Sequence, residues 1–174
     1  MNVVRKRILL SGTFANEWSR ELSREKGKEI FCRNLCVEIA YQEEIVYRIH
    51  IVEEMESLAP LDDFAQKVFQ ELTEYFAGQR KDFTFSYAFT GGTEFQNRVW
   101  QEIAKIPYGS TISYTELAAR AGRPRACRGA ARACHDNPIP FCVPCHRVIA
   151  KSGAMQGYGY GLAMKRALLN LEKL

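Results

Sequence analysis

Between Thr93 and Gly122 the chain reads "TEFQNRVWQEIAKIPYGSTISYTELAARAG", a run dense in helix start and stop signals. Thr93 stands three residues before Gln96, a capping box. It opens a helix carrying Phe95, Val99, Ile103 and Ile106 at helical spacing. "PYGS" is a turn. Ser113 with Glu116 forms a second capping box, opening a short helix that stops at Gly122. Pro124 then occupies the place of a first helical residue, and "PRACRGAARAC" is rich in alanine and carries Arg125, Arg128 and Arg132. Two short helices joined by "AGR" make a helix-turn-helix with a basic second helix.

Upstream the pattern changes. "RKRILLSGTF" reads as extended. Val37, Ile39 and Tyr41, then Ile45, Tyr47, Ile49 and Ile51, alternate about a polar Gln-Glu-Glu, which predicts a hairpin. Phe64, Val68, Leu72, Tyr75 and Phe76 predict a helix that ends near Gly78, and "DFTFSYAF" reads as a strand or extended linker. A boundary at Gly91-Gly92 predicts two domains, an α/β scaffold over 1–90 and a mostly helical domain over 91–174.

Charge is unevenly spread. The last 79 residues carry 12 Lys and Arg against 4 Asp and Glu, while the first 95 carry 12 against 16. A basic half with a basic helix suits a polyanion, nucleic acid first. The longest apolar runs are too short to span a bilayer, and the N-terminus lacks the apolar core of a signal peptide. An intracellular location follows as the expectation: nucleus in a eukaryote, otherwise cytoplasm. The six cysteines are then thiols in a reducing compartment.

"FCVPCHRV", Phe141 to Val148, is the chemical centre of the basic half. Cys142 to His146 fits the c-type haem pattern, but haem attachment belongs outside the reducing cytosol. A zinc site drawn from Cys127, Cys134, His135, Cys142, Cys145 and His146 lacks a second well-separated knuckle. A Cys142–Cys145 redox pair is a third reading. The fourth makes Cys145 a nucleophile activated by His146, with a carboxylate to orient the base. In a strand, neighbours point to opposite faces, so this needs a turn at Cys145 or a bridging water. "NPIP" before it predicts a stiff extended approach. "SGAMQGYGYG" is a glycine-rich loop that follows. "LAMKRALLNLE" closes the chain as an amphipathic helix with Leu162, Leu168 and Leu169 inward and Glu172 near its end.

The runs "FQNRVWQEIAKIPYGSTISYTELAARAG" and "NPIPFCVPCHRVIAKSGAMQGYGYGLAMKRALLNLE" resemble the O6-alkylguanine-DNA alkyltransferases over about 80 residues, with Pro-Cys-His-Arg-Val as the family's signature. The resemblance implies an α/β protein with a ribonuclease-H-like N-terminal domain. It implies direct reversal of O6-alkylguanine, chiefly O6-methylguanine, in double-stranded DNA. The flipped base gives its alkyl group irreversibly to Cys145. His146 is implied as base through a water, Glu172 as its orienting carboxylate, and Tyr114 as the group that rotates the nucleotide and protonates guanine N3. Arg128 is implied as the finger filling the stack. Asn137 is implied as the hinge between helix pair and thiol. Pro140, Val148, Tyr158, Gly159 and Tyr160 are implied as the pocket. Ala126, Ala130, Arg125 and Arg132 are implied at the DNA surface, together with Gly129 and Ala133, small side chains letting the helix sit deep in the minor groove. No cofactor and no metal are expected, because Cys32, Cys36 and His50 do not match the zinc positions of some relatives. A monomer is expected. The alternative is a relative that binds alkylated DNA without chemistry, and Cys145 argues against it.

Overall fold

Val37, Ile39 and Tyr41 are buried on strand β2 (Asn34–Gln42), as the alternation requires. In this computed structural model residues 4–11, 18–21, 23–24, 34–52 and 60–173 are described. Strand β1 (Val4–Ser11) lies antiparallel to β2, which lies antiparallel to β3 (Ile45–Val52). The hairpin turns on Glu43 and Glu44, both with positive φ (51° and 57°), the backbone hand that matches strand twist in a two-residue turn. On β3 the expected alternation fails at one point. The register shifts opposite Ala40 and Tyr41, a bulge, so Val46 and Ile49 are the buried residues while Ile45 and Tyr47 are half-buried.

Helix α1 (Asp63–Phe76) starts where the Asp62 carboxylate accepts the Ala65 N–H (2.9 Å), and it buries Val68, Phe69, Leu72, Tyr75 and Phe76. Gly78 follows with φ of 73°. Strand β4 (Ser86–Tyr87) is only two residues long and pairs parallel with β3, so the sheet order is β1-β2-β3-β4. Buried Glu71 fastens this segment by accepting the Thr84 N–H at 2.7 Å. The chain divides into units Met1–Ala88 and Phe89–Leu174.

In the second unit, α2 (Glu94–Ala104) opens with the full reciprocal box of Thr93 and Gln96. Helix α3 (Tyr114–Arg120) has half of the expected box. Ser113 Oγ accepts the Glu116 N–H, but the Glu116 carboxylate turns to Arg120 (2.7 Å). Helix α4 (Cys127–His135) begins three residues later than Pro124 suggests, because Arg123 to Ala126 close a turn first (2.9 Å). The Trp100 indole of α2 donates to the Ala133 carbonyl of α4 at 2.8 Å, both groups buried. Strand β5 (Ile112–Ser113) leads into α3 and pairs parallel with β6 (Val148–Ile149). Helix α5 (Gly161–Leu171) closes the unit, with Leu168 and Leu169 buried and Leu162 only half-buried. The described residues are thus a mixed α/β protein. No helix among them is long and apolar enough to cross a membrane.

Candidate active site

The segment before Cys145 is coiled into turns where "NPIP" predicts an extended run. Pro140 to Cys142 form a turn, Val143 N–H donates to the Ile139 carbonyl (3.0 Å), and Phe141 takes a φ of 75°. Two prolines remove donors, but the Asn137 side chain replaces them. Its Nδ2 donates to the Val143 carbonyl (2.7 Å) and to Cys145 Sγ (3.2 Å), while its Oδ1 accepts the Ile139 N–H (3.1 Å).

Cys145 to Arg147 form one turn of 3-10 helix, closed by Arg147 N–H to the Pro144 carbonyl at 2.9 Å. Three residues per turn leave neighbours about 120° apart, so Cys145 and His146 are not driven to opposite faces as in a strand. His146 is fully buried and its Nε2 lies 2.7 Å from Glu172 Oε1. Burial holds the imidazole below its usual value, with Glu172 working against this. Burial likewise pushes the Cys145 thiol up, opposed by the Asn137 hydrogen bond, the Lys165 charge and the Tyr158 hydroxyl. The resting sulfur is therefore a protected thiol, and it needs a base at the moment of reaction.

Strand pairing supplies the next group. β6 follows the thiol turn directly, and its partner β5 delivers Tyr114 as the first residue of α3. The Tyr114 hydroxyl donates to the Gln156 carbonyl (3.0 Å), and burial first of all raises its pKa. Lys165 of α5 is fully buried. Its ammonium donates to the Val148 carbonyl (2.7 Å), the Gln156 carbonyl (3.2 Å) and the Tyr114 hydroxyl (3.3 Å), and burial lowers its pKa. It makes no ion pair with a carboxylate among the described residues.

Helix α4 presents Arg128, Gly129 and Arg132 to solvent, with exposed Arg125 in the turn just before it and Ala126 half-buried at its start. Arg125 and Arg128 carry no ion pair among the described residues, whereas Arg132 Nε is tied to Asp136 at 2.9 Å. Ala130 is fully buried and so is Ala133. This corrects the expectation for both: they form the inward stripe of α4 and offer nothing to a DNA surface.

The comparisons with known proteins point one way. The family model described as 6-O-methylguanine DNA methyltransferase, DNA binding domain, matches residues 94–174. A methylated-DNA–protein-cysteine methyltransferase of Mycobacterium leprae is 51% identical over 110 residues, 63% of this chain and 66% of that protein. The match thus spans just under two thirds of that relative's length. A solved structure of the Mycobacterium tuberculosis O6-methylguanine methyltransferase matches with a TM-score of 0.74 at 31% identity, covering 98% of this chain and 93% of that one. The chain belongs to the methylated-DNA–protein-cysteine methyltransferase family. A further solved structure, the Mycobacterium tuberculosis OGT in complex with DNA, matches with a TM-score of 0.72 at 38% identity, covering 79% of this chain and 86% of that one.

In this methyltransferase-family chain the residues singled out from sequence fall into three places. Asn137 contacts Cys145 and Glu172 contacts His146, the two pairs adjoining through the Cys145–His146 peptide bond. Pro140 and Val148 are buried in the same segment, and Tyr158 and Tyr160 form an edge-to-face pair (5.9 Å between centroids) flanking exposed Gly159. Arg128 and Arg132 lie on α4 and Arg125 in the turn before it. Sequence reasoning missed Lys165 and took Arg147 only as a positive charge beside Cys145. Lys165 stands three residues before Leu168 and seven before Glu172, so the inward stripe of α5 itself marks it. Cys32 lies outside the described residues, and the five described cysteines form no disulfide with one another.

Proposed function

We propose that this chain reverses O6-alkylguanine, chiefly O6-methylguanine, in double-stranded DNA by taking the alkyl group onto Cys145 in a single irreversible turnover. The observation that carries this reading is two coupled pairs on one turn: the buried Cys145 thiol held by Asn137, and the next residue, buried His146, held by the Glu172 carboxylate. A family relative solved with DNA supports the choice of substrate polymer.

A stacked base is out of reach of a buried thiol, so the nucleotide must leave the helix first. The α3–α4 pair serves as the helix-turn-helix, docked by the exposed face of α4. Arg128, which makes no ion pair among the described residues, fills the vacated stack, and Arg125 and Arg132 neutralise phosphate. Tyr114 rotates the nucleotide and gives a proton toward guanine N3. Pro140, Val148, Tyr158, Gly159 and Tyr160 enclose the base and its alkyl group.

With Nε2–H donated to Glu172, the other ring nitrogen of His146 is the basic one. It takes the Cys145 proton through a water. Sulfur attacks the methyl carbon, an S–C bond forms, the C–O6 bond breaks, and its electron pair returns to the guanine, which is protonated. The thioether product is inert, so each molecule acts once. The first unit is assigned to the ribonuclease-H-like class on its order of three antiparallel strands, a crossover helix and a parallel strand.

The test is incubation with a duplex containing O6-methylguanine, followed by peptide mass spectrometry. A methyl group on Cys145, lost in Cys145→Ala, kept in Cys142→Ala and slowed in Arg128→Ala, is the expected result. Methyl acceptance by the Cys145→Ala protein overturns the reading.

A further inference from the structure

Arg147 is 6% exposed and grips Glu172 with two arms, Nε on Oε2 at 2.8 Å and Nη2 on Oε1 at 2.9 Å. Its third arm, Nη1, donates to the Ile106 carbonyl, and its guanidinium lies 5.6 Å from the centre of the Tyr108 ring. Tyr108 in turn donates to the Leu171 carbonyl at 3.1 Å, and the Gly109 N–H makes a long contact to Glu172 Oε2 at 3.4 Å. Oε1 of Glu172 is therefore shared between Arg147 and His146.

The sharing fixes a charge count. With Arg147 present, the buried group Arg147–Glu172–His146 is neutral when the imidazole is neutral. Protonating His146 leaves one uncompensated charge away from water, which is costly. Without Arg147 the count reverses, and the pair is neutral only as imidazolium with carboxylate. The other groups facing this site are Lys165 from α5, whose charge also opposes imidazolium, Cys145 from the same turn, and Tyr108 from the loop after α2. Glu172 is the group that favours the protonated ring.

We infer that Arg147 is a positioning residue that keeps His146 neutral, and so able to accept the thiol proton, by holding the charge of Glu172. This rests on the thiol-transfer reading above, but it is tested on the free protein. Residue-specific NMR titration of His146, identified with His146→Asn, is compared in the unmodified chain, Arg147→Met and Arg147→Lys. The rate of methyl transfer is followed against pH alongside.

In Arg147→Met the His146 titration should move up by about one unit or more, and the acid limb of the rate should move with it. Arg147→Lys, which restores the charge, should return both toward the unmodified chain. A folded Arg147→Met with an unmoved His146 titration overturns the inference. A marginal Arg147→Met should lose less stability relative to the unmodified chain as the pH is lowered, since its folded state takes up the His146 proton at a higher pH than the unmodified chain does. Failure to fold anywhere between about pH 5 and pH 8 also overturns it. If His146 shifts but the unmodified chain never accepts a methyl group, the transfer reading fails and this one stands.

Discussion

Asn137 Nδ2 lies 3.2 Å from Cys145 Sγ while also donating to the Val143 carbonyl, so one amide holds both the reactive atom and the turn beneath it. Asn137→Ala leaves that carbonyl without its side-chain donor and should cost about 1–3 kcal/mol. Urea unfolding of the two proteins checks this, and an unchanged midpoint contradicts it.

Acid should weaken the fold in a defined window. His146 and His50 are both held below the ordinary imidazole value of 6.5, in each case mainly by burial. The folded chain then binds fewer protons than the unfolded one below that value. The stability is complete above about pH 6.5 and is lost as pH falls toward the depressed folded values. Asp62 and Glu74 are lowered carboxylates, with ordinary values of 3.8 and 4.5, so their losses come at lower pH. Urea midpoints measured downward from pH 8 should fall through the histidine window, and His146→Asn should flatten part of that fall.

The arginines on and just before α4 should separate by salt dependence. Arg125→Ala should lower the slope of log affinity against log salt by about one on any duplex sequence. Arg132 is already engaged by Asp136 (2.9 Å), so Arg132→Ala should change the slope less, and Asp136→Ala should strengthen binding. Equal effects of Arg125→Ala and Arg132→Ala would show that the Asp136 tie does not matter.

Tyr114→Phe removes the hydroxyl shared with Gln156 and Lys165 and keeps the ring. Methyl transfer should slow about 100-fold, as for loss of a general acid, with duplex affinity nearly unchanged. Single-turnover rates and a gel-shift titration measure the two separately.

Tyr160 packs edge-to-face against Tyr158, 5.9 Å between centroids, and on the proposed reading its ring limits the room for the alkyl group. Tyr160→Gly should therefore speed transfer of benzyl far more than of methyl. Equal acceleration of both adducts would remove Tyr160 as a determinant of size.

The punctuation of the second unit was readable because it is local. Thr93, Ser113 and Gly122 act within one turn of themselves, and the helices open and stop beside them. Glu172 was readable as a carboxylate standing where a helix end disfavours one. What escaped depends on distance. Arg147 and Lys165 look like solvated cations until contacts 25 and 17 residues away draw them inside. The bulge on β3 likewise comes from pairing across the hairpin, and no alternation pattern on one strand reports it. Ala130 was misread because an alanine helix shows no inside or outside until its partner helix is placed.

The indole of Trp100 meets the Ala133 carbonyl on the helix that carries the exposed arginines, and Trp18 is the chain's other tryptophan. The protein thus carries its own fluorophore at the back of its proposed DNA-facing helix. Excitation in the near ultraviolet would follow seating on a duplex, or modification of the neighbouring thiols, with no dye attached.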